Sequence, residues 1–229
     1  MQTISRKVVK PLLIAALPVR SAKDVERMRE VVDIVDLVEL RVDYMDDPLA
    51  LDYEGLRSDK VLITLRDVAE GGAKKHADEV KLKLLNRLDD LGMLYDVEML
   101  FIEKHGNEVN YEGKIVSHHI IDSSHPIDAE GLRGRARKYL DKALIVKVVT
   151  VPFPGYKTFL TSLLELGDNV AVMPMSTNPQ ERIAFTLLGS KILFCCIETP
   201  TALGQIRCSD VKAVLDTITK RTSYVPDVK

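Results

Sequence analysis

One lysine, Lys147, stands inside an otherwise β-branched run, Ile145–Val149 (IVKVV). An ammonium buried unpaired in such a run is unfavourable, and the simplest relief is a lowered pKa that leaves the amine neutral. A neutral amine in an apolar wall is a nucleophile toward carbonyls. The competing reading has Lys147 facing outward, its stem laid along helices and its charge in water. The preceding apolar run reads KIVSHHII, where Ser117 and His119 share one face and His118 points to the other. Histidine is the side chain suited to moving protons near neutral pH. Strand alternation in VELRVD puts Glu39, Arg41 and Asp43 on one face. Three charges on one face of a buried strand need partners, which implies either a polar pocket or an internal ion-pair network. Arg66 ends the next run, ITLRDVAEGG, with Glu70 and the pair Gly71–Gly72 just beyond, where glycines suit a tight loop near a ligand or another backbone. Asp96 and Glu98 share a face in DVEML. A lysine and a histidine on neighbouring strands, ringed by Arg41 and Arg66, point to a Schiff-base enzyme acting on an anionic keto compound.

These residues need a scaffold of buried strands. Eight apolar, β-rich runs recur: Leu12–Leu17, Ile34–Val42, then 60–66, 94–102, 114–121, 143–149, 169–174 and 192–198. Each is apolar on both faces, as a buried parallel strand is. Helical patterns separate most of them. Ser21 with Asp24 resembles a capping box ahead of Val25, Met28 and Val32. Ala77, Val80, Leu84, Leu88 and Leu91 share a helical face that ends at Gly92. Further patterns cover 129–140, 160–167 and 183–189, and a last helix is capped by Ser209. The polar connections 46–58 and 103–113 predict brief helices or none. The alternation predicts a single α/β domain over 1–229, a (β/α)₈ TIM barrel with catalysis at the C-terminal strand ends. The rival is an open doubly wound sheet, but Leu17–Ala22 lacks the glycines of its phosphate-binding turn.

Composition excludes several other classes. Lys plus Arg number 32 against 34 Asp plus Glu, a formal charge of -2, which argues against nucleic-acid binding and against a polybasic membrane anchor. The apolar runs are too short to cross a bilayer. The N-terminal basic residues precede an apolar stretch that runs into Pro18 and Arg20, which reads as a strand rather than a signal peptide. Three cysteines, two of them adjacent (Cys195, Cys196), read as reduced, intracellular thiols in a packed core. Lys81–Lys83 and Arg133–Lys138 read as solvated helix faces.

Taken in order, ELRVD (39–43), TLRDVAEGG (64–72), SHH (117–119), Lys147 in IVKVV, ERIAFTLLGS (181–190) and TALGQI (201–206) resemble the type I 3-dehydroquinate dehydratases along essentially the whole chain. The resemblance implies a (β/α)₈ barrel, commonly a homodimer, with no metal or organic cofactor; the setting expected, from the cysteine reading, is cytoplasmic. Its implied reaction is dehydration of 3-dehydroquinate to 3-dehydroshikimate, the third step of the shikimate pathway of aromatic amino acid biosynthesis. It also implies roles. Lys147 would form the Schiff base, His119 would be the general acid/base, and Glu70 would orient that histidine. Arg182 would hold the substrate carboxylate. Glu39, Arg41 and Arg66 would line the substrate pocket, and Thr201 and Gln205 would belong to a loop that closes over the substrate.

Several positions depart from the family pattern. Thr201 stands where serine is frequent, Leu203 where proline is usual, and Ile120 where an aspartate commonly follows the histidine. STNPQ after Met175 replaces frequent glycines. His118 stands where asparagine or tyrosine is usual, so both histidines are candidates for the chemistry, with the Ser–x–His spacing favouring His119. Two other classes fit parts of the pattern: a Schiff-base aldolase on the same barrel, and a non-catalytic binding barrel. The first would want a glycine-rich phosphate cradle, which MPMSTNPQ lacks. The second gives no reason to retain the lysine, histidine, glutamate and arginines together.

Overall fold

The computed structural model describes residues 10–222 except 177 and 199. Eight parallel strands follow the predicted runs: β1 (Leu12–Pro18), β2 (Leu37–Arg41), β3 (Val61–Thr64), β4 (Leu94–Glu98), β5 (Ile115–Ile120), β6 (Ile145–Thr150), β7 (Val170–Pro174) and β8 (Ile192–Cys196). A two-residue strand, β9 (Ile206–Arg207), adds to β8 and was not foreseen. Neighbours run β7-β6-β5-β4-β3-β2-β1-β8-β9, so each strand from β1 to β7 lies beside its sequence neighbour and β8 returns to β1. That order belongs to a (β/α)₈ barrel and not to a doubly wound sheet.

The ring closes between β7 and β8 through side-chain chemistry. Ser190 Oγ donates to Val172 O and accepts from Val172 N–H, both at 2.9 Å, and Lys191 N–H donates to Val170 O at 3.1 Å. One hydroxyl, being both donor and acceptor, here serves the backbone groups that a ladder would have paired.

The helices are α1 (Ala22–Val25), α2 (Asp78–Asp90), α3 (Met99–His105), α4 (Ala129–Arg137), α5 (Tyr156–Leu164), α6 (Pro179–Leu187) and α7 (Cys208–Thr222). The first is shorter than its pattern predicts. Asp24 accepts from the N–H groups of Arg20 and Ser21 (2.8 and 3.0 Å), but after one turn the chain tightens into a 3₁₀ segment, Glu26–Glu30. The run 94–102 also divides differently from expectation. The strand stops at Glu98 and Met99, Phe101 and Ile102 become buried residues of α3. A continuous apolar run fits either element, and no capping side chain marks this junction. Ser209 lies inside α7 rather than ahead of it.

Two apolar clusters result from strand alternation. Ile14, Ala16, Leu37, Leu62, Ile115, Ile145, Ala171, Met173, Ile192 and Phe194 fill the barrel interior. A larger set, with Leu40, Ile63, Val97, Val116, Val148, Leu84, Leu88, Leu160 and Leu163, packs the outside of the sheet against the helices. Interior positions nearer the C-terminal strand ends carry buried charge instead: Glu39, Arg41, Asp96, Glu98 and Lys147.

The cysteine reading is corrected. Cys195 and Cys208 form a disulfide between β8 and the start of α7, and Cys196 is free and buried. Adjacent strand residues point to opposite faces, which sends Cys195 outward to meet α7 while Cys196 points into the barrel. The count of three left room for one pair. Among the described residues no helix is long and apolar enough to cross a membrane.

Candidate active site

At the C-terminal strand ends a cavity of about 250 Å³ opens among Glu39, Arg41, Arg66, Glu70, His119, Lys147, Arg182, Thr201 and Gln205, with Val149, Met173, Met175 and Phe194 as its apolar wall. The nine polar residues are those singled out from the sequence.

Lys147 projects inward from β6, 2% exposed, with Nζ 4.8 Å above the Phe194 ring. The amine is not alone, as its strand had implied: Asp96 Oδ2 lies 2.6 Å from Nζ. Asp96 is the hub of the floor. Its Oδ1 accepts from Arg66 Nη2 at 2.7 Å and from Ser117 Oγ at 2.5 Å. Burial alone would raise the Asp96 pKa, but the charges of Arg66 and Lys147 hold it far below the usual carboxylate range. The sequence showed only which face Asp96 occupies. Alternation was the available signal, and it does not name a cross-strand partner.

Arg66 is engaged by protein on every side. Nη1 donates to Ser117 Oγ at 2.7 Å and lies 3.1 Å from Glu98 Oε1. Glu98 in turn pairs with Lys81 of α2, which is buried beneath the site and not on a solvated face as expected. Arg41 makes a two-pronged contact with Asp43 (2.7 and 2.8 Å) and donates to Gly71 O at 3.3 Å. Asp43 reaches it because the strand ends at Arg41 and a 3₁₀ turn, Val42–Tyr44, folds the carboxylate back. Glu39 accepts from Thr64 Oγ1 at 2.8 Å.

His119 lies on the same face of β5 as Ser117, which is paired in register with Lys147. Its Nδ1 is 3.0 Å from Glu70 Oε2, and its backbone N–H donates to the same oxygen at 2.8 Å. That leaves Nε2 for the cavity. Burial, reinforced by the Arg66 charge and opposed by Glu70, pushes the imidazole down to about 3, so the ring is neutral at physiological pH. Burial works against ionised Glu70, but its contacts with His118 and His119 and the Arg66 charge hold it well below the carboxylate range. Glu70 ends a 3₁₀ turn, Val68–Glu70, closed by Gly71 at φ +90°, and a Cβ on Gly72 would sit 2.1 Å from Arg66 O. Both glycines are therefore required by backbone geometry. His118 faces outward and is absent from the cavity wall.

Arg182 projects from α6 and is 3% exposed. It donates to Leu203 O, and Nη1 lies 2.7 Å from Met173 Sδ. Nε has no hydrogen-bond partner, and no carboxylate pairs with the guanidinium among the described residues. Burial pushes its pKa down to about 10. A buried cation without a counterion is poised for an anion. The STNPQ segment that replaces the family's glycines starts α6, with Asn178 Oδ1 accepting from Gln180 N–H at 3.1 Å and Pro179 in the first turn. Glu181 adds a brace that the sequence reading missed, accepting from Tyr156 and Ser176 hydroxyls.

Thr201 and Gln205 hold each other across the loop after β8: Thr201 N–H donates to Gln205 Oε1 at 2.7 Å, and Gln205 Nε2 donates to Thr201 Oγ1 at 3.0 Å. Gly204, at φ +75°, packs so that a Cβ would meet Ser176 O at 2.3 Å. This loop thus seats on the one after β7, and Leu203 contributes its carbonyl to Arg182 while its side chain is exposed.

Residues 15–155 match the family model described as Type I 3-dehydroquinase. The 3-dehydroquinate dehydratase of Saccharolobus solfataricus is 36% identical over 221 residues, covering 94% of this chain and 98% of that protein. That of Sulfolobus acidocaldarius is 37% identical over 91% of this chain and 94% of its own. Among solved structures, the type I 3-dehydroquinate dehydratase of Clostridium difficile superposes with a TM-score of 0.75 at 22% identity, covering 93% of this chain and 94% of that one. The Geobacillus kaustophilus 3-dehydroquinate dehydratase gives 0.72 at 23% identity, covering 93% and 92%. Both superpositions speak to the barrel.

Proposed function

The chain belongs to the type I 3-dehydroquinase family, and on that premise we propose that it is a lyase that dehydrates 3-dehydroquinate to 3-dehydroshikimate through an imine on Lys147. The carrying observation is that one cavity holds a buried amine, an imidazole oriented by a carboxylate, and a buried guanidinium with no carboxylate partner among the described residues.

The substrate carboxylate would pair with the Arg182 guanidinium, fixing the ring against the apolar wall. Lys147 attacks the ring ketone as the free amine, its proton passing to solvent, and gives a carbinolamine. The carbinolamine takes a proton back from solvent and loses water to form an iminium. The iminium acidifies the adjacent carbon–hydrogen bond, and His119 Nε2 takes that proton, leaving an enamine. The enamine expels the β-hydroxyl as His119 returns the proton to the leaving oxygen. Water then hydrolyses the product iminium and frees Lys147. Covalent attachment divides one hard elimination into easier steps, and a placed acid/base adds roughly two to four orders of magnitude.

Asp96 stabilises the cationic nitrogen before attack and again at each iminium stage. Arg66 and Arg41, saturated by protein carboxylates, act as struts that shape the pocket's polar wall. Thr201 and Gln205 close the mouth. The proposal includes a homodimer, to be read from light scattering. It also includes a cytoplasmic setting, with which the Cys195–Cys208 pair is compatible, since the intracellular proteins of some organisms carry disulfides.

The test is incubation with 3-dehydroquinate while following the ultraviolet absorbance of the conjugated product. Absorbance should rise with the wild-type chain and with catalytic amounts of enzyme; its absence rejects the reading. His119→Ala should form imine yet eliminate very slowly.

A further inference from the structure

His118 faces away from the cavity, yet it touches the site's machinery by another route. Pairing between β4 and β5 ends at Glu98↔Ser117, because the chain turns into α3 after Glu98. β5 continues for three residues paired only to β6: His118↔Val148, His119↔Val149 and Ile120↔Thr150. Glu70 occupies the vacated edge. Its Oε2 takes the His119 N–H that a longer β4 would have met, and its Oε1 reaches past the strand to the other face. There it lies 3.3 Å from His118 Nδ1. Both atoms are buried, and neither has an aligned hydrogen-bond partner among the described residues, so this 3.3 Å ion-pair contact is the polar approach each has.

We propose that His118 is a positioning residue for the proton-transfer step: it pins the second oxygen of Glu70 and so keeps the first aligned on His119. This deepens the dehydratase reading and rests on it. Without a donor on that side, the carboxylate has an alternative partner in Arg66, whose Nη1 is 4.0 Å from Oε2. Rotation toward Arg66 loosens the contact that fixes the His119 tautomer and leaves Nε2 free to accept. The outward surroundings of His118 offer no equivalent hold on Glu70. The adjoining cavity is lined by Ile120, Ile127, Asp128, Leu132 and Arg135. Asp128 there caps its own helix at Gly131 N–H (2.8 Å), and Arg135 pairs with Glu103 (3.0 Å).

Two substitutions of similar volume separate donor from bulk. Asn places an amide donor where Nδ1 stood; Leu does not. His118→Leu should lower kcat by about tenfold or more, as misalignment in a proton-transfer geometry does, with KM within about twofold because binding is untouched. Borohydride trapping on Lys147 should proceed at the wild-type rate in this variant, since imine formation precedes the affected step. His118→Asn should recover most of the lost turnover. In the wild-type chain itself, ¹⁵N-histidine spectra should show Nδ1 protonated on both His118 and His119. A Leu variant with wild-type kcat, an Asn variant no better than Leu, or a bare Nδ1 on His118 overturns the proposal. Failure of the wild-type chain to turn over 3-dehydroquinate would instead reject the parent reading.

Discussion

Lys147 Nζ and Asp96 Oδ2 lie 2.6 Å apart, and the other oxygen of that carboxylate holds Arg66. One anion therefore answers two buried cations, both on the inner wall of the barrel. Asp96→Asn leaves them facing a neutral amide. Breaking a buried ion pair by removing one partner destabilises by roughly 3–5 kcal/mol, and urea unfolding of the variant should show a loss of that order. Turnover should fall as well, because the cationic iminium loses its counterion. Unchanged stability would mean that Lys147 and Arg66 find other anions.

Acid should weaken the fold through His119. Its native pKa is about 3, whereas an unfolded histidine titrates near about 6.5. Between those values the unfolded chain binds a proton that the native chain refuses, so stability is full above about 6.5 and declines as pH falls toward 3. Glu70 acts in the same direction at lower pH: its depressed native pKa stabilises the fold above the unfolded carboxylate value, and that contribution is lost on acidification. Melting temperatures of wild type and His119→Asn should diverge least near pH 4 and most near pH 7 once each is referenced to its own value at pH 4. Parallel curves between pH 4 and 7 would show that His119 is not held neutral.

Arg182→Lys keeps the charge and loses the planar fork. Steady-state kinetics should show a marked rise in KM, about tenfold or more, with kcat less affected. A variant with unchanged KM removes Arg182 from carboxylate binding.

The Cys195–Cys208 disulfide spans a sequence separation of 13 and encloses the loop that carries Thr201 and Gln205. A cross-link of that span contributes about 3 kcal/mol in the chain-entropy model. Cys208→Ser should melt lower and raise KM, because the loop ends are no longer tied. Reduction of the wild type should reproduce both effects, and identical melting with and without reductant would count against the cross-link.

Strand alternation alone carried much of this site. It put His119 with Ser117 on one face and His118 on the other, and grouped Glu39 with Arg41, but left open whether Lys147 faced inward or outward. It could not say that Asp96 meets Lys147, because the partner comes from a strand two ladders away and register is a tertiary property. Lys81 was hidden for a related reason: a lysine among polar helix residues looks solvated, and only the position of Glu98 under α2 draws it in. The disulfide escaped because spacing says nothing of which helix covers the outward face of β8. Arg182, Thr201 and Gln205 sit on a helix and a loop without period, and only the resemblance carried in their segments pointed to them.

Borohydride reduction in the presence of 3-dehydroquinate, followed by peptide mass mapping, tests the imine most directly. The account predicts one covalent adduct of substrate or product mass on the peptide carrying Lys147, absent without substrate and absent in Lys147→Ala, which should also lack turnover. An active enzyme that yields no adduct, or an adduct on a different lysine, would contradict it.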